Sequence, residues 1–224
     1  MTDSVIPQLI RKDLRLHRLQ MAITIGAGIL ALVVMQRGGE VSLVLGSTWY
    51  FVAIIVLACM LPVSMVVNER KKQTLAFVMS LPVSSTQYTT AKLVSTLLMF
   101  LVPWLLLLVC ALALTTTGNT IPQGAIPMVV IMALLPLIGF SVILAVAIVS
   151  ESEGWAIAAT VVCNSTYGIA WYLITKTPSL TVNWTRHVAI WDQTVLRLLF
   201  AEFGSVALMI SLTFFLQSRK RDFI

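Results

Sequence analysis

With 224 residues, 58% of them hydrophobic and only 11% charged, and a mean hydropathy of +0.95, the chain is not an ordinary soluble domain, in which about a quarter of residues carry charge. So much apolar surface needs lipid around it, and the composition points to a polytopic membrane protein. The net charge of +6 is read as topology rather than as affinity for nucleic acid, because in a membrane protein the placement of Lys and Arg matters more than their sum.

The first predicted element is a basic amphipathic helix over residues 5–19, VIPQLIRKDLRLHRL. At 100° per residue, Ile6, Leu9, Ile10, Leu14 and Leu16 fall on one side and Arg11, Lys12, Arg15 and Arg18 on the other, a pattern suited to lying in the membrane interface with cations toward anionic headgroups. Asp13 and His17 are spaced i, i+4 on the apolar side and are expected to pair locally.

A membrane-spanning helix takes about 20 residues, and six segments come close to that length: 19–36, 48–67, 93–114, 124–149, 155–174 and 195–216. The first reads as a span rather than a cleavable signal, since no small-residue cleavage site precedes a soluble domain. An even number of spans puts both termini on one side. That side carries Arg11, Lys12, Arg15, Arg18, Arg70, Lys71, Lys72, Lys92, Arg219, Lys220 and Arg221, leaving Arg37, Lys176, Arg186 and Arg197 for the other. The positive-inside rule makes the basic side cytoplasmic. The expectation is one all-α permease domain over 1–224, multi-pass in the cytoplasmic (inner) membrane, with both termini cytoplasmic.

Trp49, Trp155, Trp171, Trp184 and Trp191 fall at or near span ends, as interfacial anchors do, whereas Trp104 lies well inside the third span. Cys59, Cys110 and Cys163 sit in apolar runs without CxxC or Cys/His spacing, so they read as packing residues, with no disulfide framework and no metal site. Pro62, Pro103 and Pro136 interrupt three spans, which membrane helices tolerate when neighbours satisfy the freed carbonyls. The segment 175–194 is too polar to span and is expected to form short broken helices at the outer interface. Its Asn183-Trp184-Thr185 matches a glycosylation sequon, a three-residue signal of little weight.

The most informative stretch lies between the second and third spans, Asn68 to Lys92, NERKKQTLAFVMSLPVSSTQYTTAK. Glu69, Arg70, Lys71 and Lys72 end the second span in water. Gln73 to Leu81 then reads as a short helix with two apolar faces, Leu75, Val78 and Met79 on one and Phe77 and Leu81 on the other. One face can pack on the bundle; the other needs a soluble partner. Pro82 stops this helix, and Ser84 and Gln87 fit an S-x-x-Q capping box that starts a new helix running through Lys92 into the third span.

Glu-Arg, a short Thr-Leu-containing helix, Ser-Leu-Pro-Val-Ser and a Lys at the foot of a span resemble the permease subunits of ABC exporters of the ABC-2 type. The resemblance covers the whole chain by architecture and about 25 residues by motif. It implies six transmembrane helices, an N-terminal interfacial helix and a short cytoplasmic coupling helix between spans two and three. It also implies that Glu69, Arg70, Gln73, Thr74, Leu75, Phe77, Val78, Leu81 and Pro82 engage a separate ATP-binding subunit. No GxxxxGK[ST] motif occurs in the chain, so ATP and Mg belong to that partner and this chain is not itself an enzyme. The family's usual assembly pairs two permease chains, as a homodimer or a related heterodimer, with two ATPase chains. Its second and fifth spans line a central path, which points to Ser64, Asn164, Ser165 and Tyr167. Asn164 falls at mid-span, where its amide either bonds to a neighbouring helix or meets substrate.

Glu202 follows from length alone. The clean apolar run Phe203 to Leu216 covers about 21 Å at 1.5 Å per residue, short of a hydrocarbon core of about 30 Å. The sixth span must therefore extend back past Glu202, whose carboxylate is expected to face protein or a wet cavity, or to snorkel outward, and is a candidate outer gate. Arg197 is five residues away, 140° around the helix, and is poorly placed to pair with it.

The leading expectation is the membrane subunit of an ATP-driven exporter in the lipid membrane. A haem-exporter-like permease shares the span count, but only His17 and His187 are present. An intramembrane enzyme lacks support, since Glu151 and Glu153 form only a short acidic turn. A non-transporting anchor or immunity component recruiting an ATPase would keep the 68–92 stretch. The polar path residues are too few to name a substrate.

Overall fold

The computed structural model describes residues 5–67, 85–117, 121–150, 152–184 and 186–219. In chain order these form α1 (Val5–Met35), α2 (Glu40–Pro62), a π-helical turn (Val63–Val67), α3 (Ser85–Thr117), a 3-10 turn (Gln123–Ala125), α4 (Ile126–Ser150), α5 (Glu153–Thr175), the single turn α6 (Pro178–Thr181) and α7 (Gln193–Arg219). All but α6 are long and apolar enough to cross a membrane, six helices in all. In hydrocarbon every backbone polar group must be satisfied within the element, which is why apolar runs of this length become helices.

Three of the expected spans, 93–114, 155–174 and 195–216, lie inside one helix each, whereas 48–67 runs from α2 through the π turn and 124–149 starts in the 3-10 turn before α4. The first expected span lies inside α1, all but Gln36 at its end, but this helix differs from expectation at the other end. Residues 5–35 form one unbroken helix rather than an interfacial segment followed by a span. No Pro or Gly interrupts it between Gln8 and Ile25. Leu14 packs against the main core and Asp13 is buried, so the amphipathic stretch uses its inward face on protein. Leu16, expected on that face, is 65% exposed.

The four helices α1–α4 share the main apolar core, with α4 at its centre. Phe100 of α3 and Phe140 of α4 stack at 4.3 Å between ring centroids and 8° between planes. Pro136 has no N–H for the carbonyl four residues back. Beside that gap, Trp104 donates from Nε1 to the Ala133 carbonyl at 2.7 Å, which explains a tryptophan so deep in a span. Helices α5 and α7 pack on α4 and leave long apolar faces open, with Val161, Ile169 and Tyr172 on α5 and Phe200, Phe203 and Leu208 on α7 all exposed.

The two ends of the bundle differ. At the basic end lie the start of α1, the π turn, the foot of α3, the α4–α5 connection and the end of α7. At the other end, the 175–194 segment folds over the helix tips as the expected short turns. Gly124 donates to the Arg186 carbonyl at 2.9 Å, and Asp192 accepts from the Val195 N–H at 2.9 Å as the N-cap of α7. The Ser179 hydroxyl, then the Val195 N–H, hold the Asp192 carboxyl below its ordinary range.

Helices α1 and α2 meet at Gly46. A Cβ there would come within 2.8 Å of the Ala31 carbonyl oxygen and 2.9 Å of the Met35 nitrogen, backbone atoms that cannot move aside. We therefore expect Gly46→Val to destabilise the purified chain by about 1–3 kcal/mol, the usual range for overpacking. Gly26→Ala, where a Cβ meets nothing within 4 Å, should not lower the unfolding midpoint in micelles and should raise it slightly, because Ala favours a helix interior over Gly.

Candidate functional site

The residues expected to engage an ATP-binding subunit, Glu69, Arg70, Gln73, Thr74, Leu75, Phe77, Val78, Leu81 and Pro82, lie outside the described residues, as does the cap residue Ser84. What the structure describes is how the chain enters and leaves that stretch. On the entry side, α2 ends at Pro62 and widens into the π turn Val63–Val67, the kind of turn often found at functional sites. Ser64 lies in it, half-buried, and donates to the Leu61 carbonyl at 3.2 Å. On the exit side, α3 runs without a break from Ser85 to Thr117.

The foot of α3 is fastened to α1 by a buried ion pair. Lys92 Nζ lies 3.2 Å from Asp13 Oδ2, and both residues are 5% exposed. The Ser95 hydroxyl is 3.1 Å from that same carboxylate oxygen and 3.1 Å from the Lys92 carbonyl, either of which can accept its proton. Thr96 donates to the Lys92 carbonyl at 2.7 Å, and Lys12 stands 4.0 Å from Asp13 Oδ1 at the water side. Asp13 therefore reaches across to α3 rather than along its own helix. The expected Asp13–His17 pair is not formed, and His17 instead bonds through Nδ1 to Gln20 Oε1 at 2.8 Å. The sequence carried part of a signal for this pair: an aspartate on the apolar side of its helix is a charge in need of a partner, and the lysine at the foot of the third span is a cation at the same end of the bundle.

The mid-membrane candidates fall in two places. Asn164 on α5 donates its amide to the Thr160 carbonyl at 3.0 Å and approaches Cys59 Sγ of α2 at 3.6 Å, beside the small cluster of Cys59, Ile143 and Cys163. Its amide is thus spent within the chain. Ser165 is exposed and donates to the Val161 carbonyl at 3.0 Å. Tyr167 lies against α4 at Gly139, whose missing side chain makes the space: a Cβ there would fall 1.7 Å from the phenol oxygen. That hydroxyl is buried without a hydrogen-bond partner among the described residues.

Glu202 is 8% exposed, and its Oε2 is buried without a partner among the described residues. It shares a helix face with Val195 and Thr213, the other buried residues of α7, and α7 packs on α4. Of the expected settings, protein, a wet cavity or outward snorkelling, the burial of Glu202 matches the first. The helix it faces has no ionisable side chain anywhere between Ile126 and Ser150. Among the described residues no cluster of His, Cys, Asp and Glu has metal-binding geometry.

A family model described as ABC-2 family transporter protein matches residues 8–218. No curated protein and no solved structure gives a significant match.

The ion pair sets a direct test. Removing one partner of a buried pair typically costs about 3–5 kcal/mol. Asp13→Ala and Lys92→Ala should each destabilise the chain by that order in micelle unfolding. Asp13→Leu combined with Lys92→Leu should lose much less than the sum. Small, additive losses would show that the pair does not fasten α1 to α3.

Proposed function

The chain belongs to the ABC-2 transporter family, and on that premise we propose that it is the membrane-spanning subunit of an ABC exporter, moving a substrate outward as a separate nucleotide-binding subunit hydrolyses ATP. Membership in a family of ABC permeases implies that subunit as partner and the bilayer as solvent. Residues 68–84 hold the contact surface, with Leu75, Val78, Phe77 and Leu81 as its apolar anchors and Glu69 and Arg70 at its rim. ATP and Mg bind in the partner, since this sequence has no phosphate-cradling Gly-rich loop.

The observation that carries this reading is the fastening of the stretch's exit to the bundle. A force applied at 68–84 enters α3 through a helix that starts at Ser85. It meets α1 at Asp13–Lys92 within two turns. On the entry side it reaches α2 through the π turn. Movement at the contact is thereby delivered to three spans at once.

The basic end faces the cytoplasm in this reading, with both termini there and the chain in the inner membrane. Two copies of this chain, or this chain and a related one, enclose the path. Helix α5 is the wall on which Ser165 and Asn164 stand, with Ser64 nearer the cytoplasmic end of α2. Glu202 is the outer coupling or gate residue.

Two experiments test the reading. Phe77→Asp combined with Leu81→Asp should abolish copurification with the ATP-binding subunit while leaving the chain in the membrane; a complex that survives the double change removes the docking assignment. Glu202→Gln should lower the ATPase activity of the reconstituted complex several-fold without loss of assembly, and unchanged activity in vesicles rules out a gating role.

A further inference from the structure

At the end of the bundle opposite the basic end, the tips of α1–α4 do not close on one another. They surround a cavity of about 140 Å³, walled by residues such as Phe51, Ala111 and Met132 and capped by Trp171 of α5 and Trp184 of the 175–194 segment. Its aromatic wall is built edge to face. Tyr50 and Phe51 rings lie 5.3 Å apart at 89°, and Phe51 and Trp171 rings 5.2 Å apart at 82°. Edge-to-face contact at this distance is a favoured arrangement of aromatic rings.

The chemistry of the wall excludes ions and discourages water. Of its polar residues, Ser47 donates to the Val44 carbonyl and Thr115 to the Leu112 carbonyl, so both hydroxyl protons are spent on their own helices. Gln36 is exposed. A water needs two to four polar partners to occupy a cavity, whereas an apolar cavity of about 150 Å³ stays dry and admits a benzene-sized molecule. Tyr50 has a hydroxyl buried without a partner among the described residues, and the indoles of Trp171 and Trp184 are neutral N–H donors on the cap. The wall can therefore meet a neutral hydrogen-bonding group on a guest but holds no charge to match an ion.

We propose that this cavity is a binding site, within a single chain, for an uncharged apolar group the size of one aromatic ring or a short alkyl segment. The site is separate from Asn164, Ser165 and Glu202, and it stands whether or not the chain exports what it binds. Two sources of the group exist in a membrane: a small free molecule, or the end of a lipid chain.

The test is photolabelling of the full chain in lipid nanodiscs, with a phenyl(trifluoromethyl)diazirine in one arm and a phospholipid bearing a diazirine at its chain end in the other. Labelling of Phe51, Met132 and Trp171 should saturate and be competed by excess unlabelled compound. Ala111→Phe, which fills the cavity, should reduce it at least tenfold, and Met128→Trp serves as a second filling variant should the first fail to fold. Labelling of Val161 and Phe203, exposed on the outer faces of α5 and α7, should be unchanged in both. Saturable labelling in the first arm identifies a small ring as guest, and in the second a lipid chain. Labelling of the wall that neither saturates nor falls in the filled variants overturns the proposal.

Discussion

A buried charge is costly unless it is paired, and the Asp13–Lys92 pair fixes how this bundle is joined at its basic end. Asp13 and Lys92 stand 79 positions apart in the chain, yet they are the contact by which the first helix grips the foot of the third. Neither side chain is tolerable in an apolar setting alone, so the pair specifies one arrangement of α1 against α3 even if its net contribution to stability is small. Because α1 also packs along α2, the same contact sets the relative position of the two helices that bracket residues 68–84.

Much of the fold was legible in the sequence, and the parts that were not have physical reasons. Span length and hydropathy located the six helices, because lipid allows an apolar run little other choice. The basic run at 5–19 misled: amphipathicity says that one face is polar, not whether the other is covered by lipid or by protein, and here Leu14 and Asp13 are covered by protein. The partner of Asp13 was missed because periodicity compares residues within a helix and is blind to contacts between helices. Glu202 was found by length alone, since a 14-residue apolar run cannot span, and its burial on α7 agrees. Trp104 looked anomalous until Pro136 of another helix supplied the disturbed backbone beside which its indole bonds.

The helices divide unevenly between core and periphery. Four of them, α1–α4, share the main core, whereas α5 and α7 each pack on α4 along one face and show lipid, or another chain, the rest. Asn164 and Ser165 lie on the thinly covered α5, and their hydrogen bonds run back to their own helix. That makes them tolerable in hydrocarbon and equally able to border water, which is what a helix needs if it is to line a path in one assembly and face lipid outside it.

The π turn at Val63–Val67 bears on how the contact stretch is aimed. A helix advances by about 100° per residue, and a π turn takes more residues to go round, so Val63–Val67 set a fixed angular offset between Tyr50, Ile54 and Leu57 in the core and the foot of the second span. The same residue spacing therefore points to different faces above and below the turn.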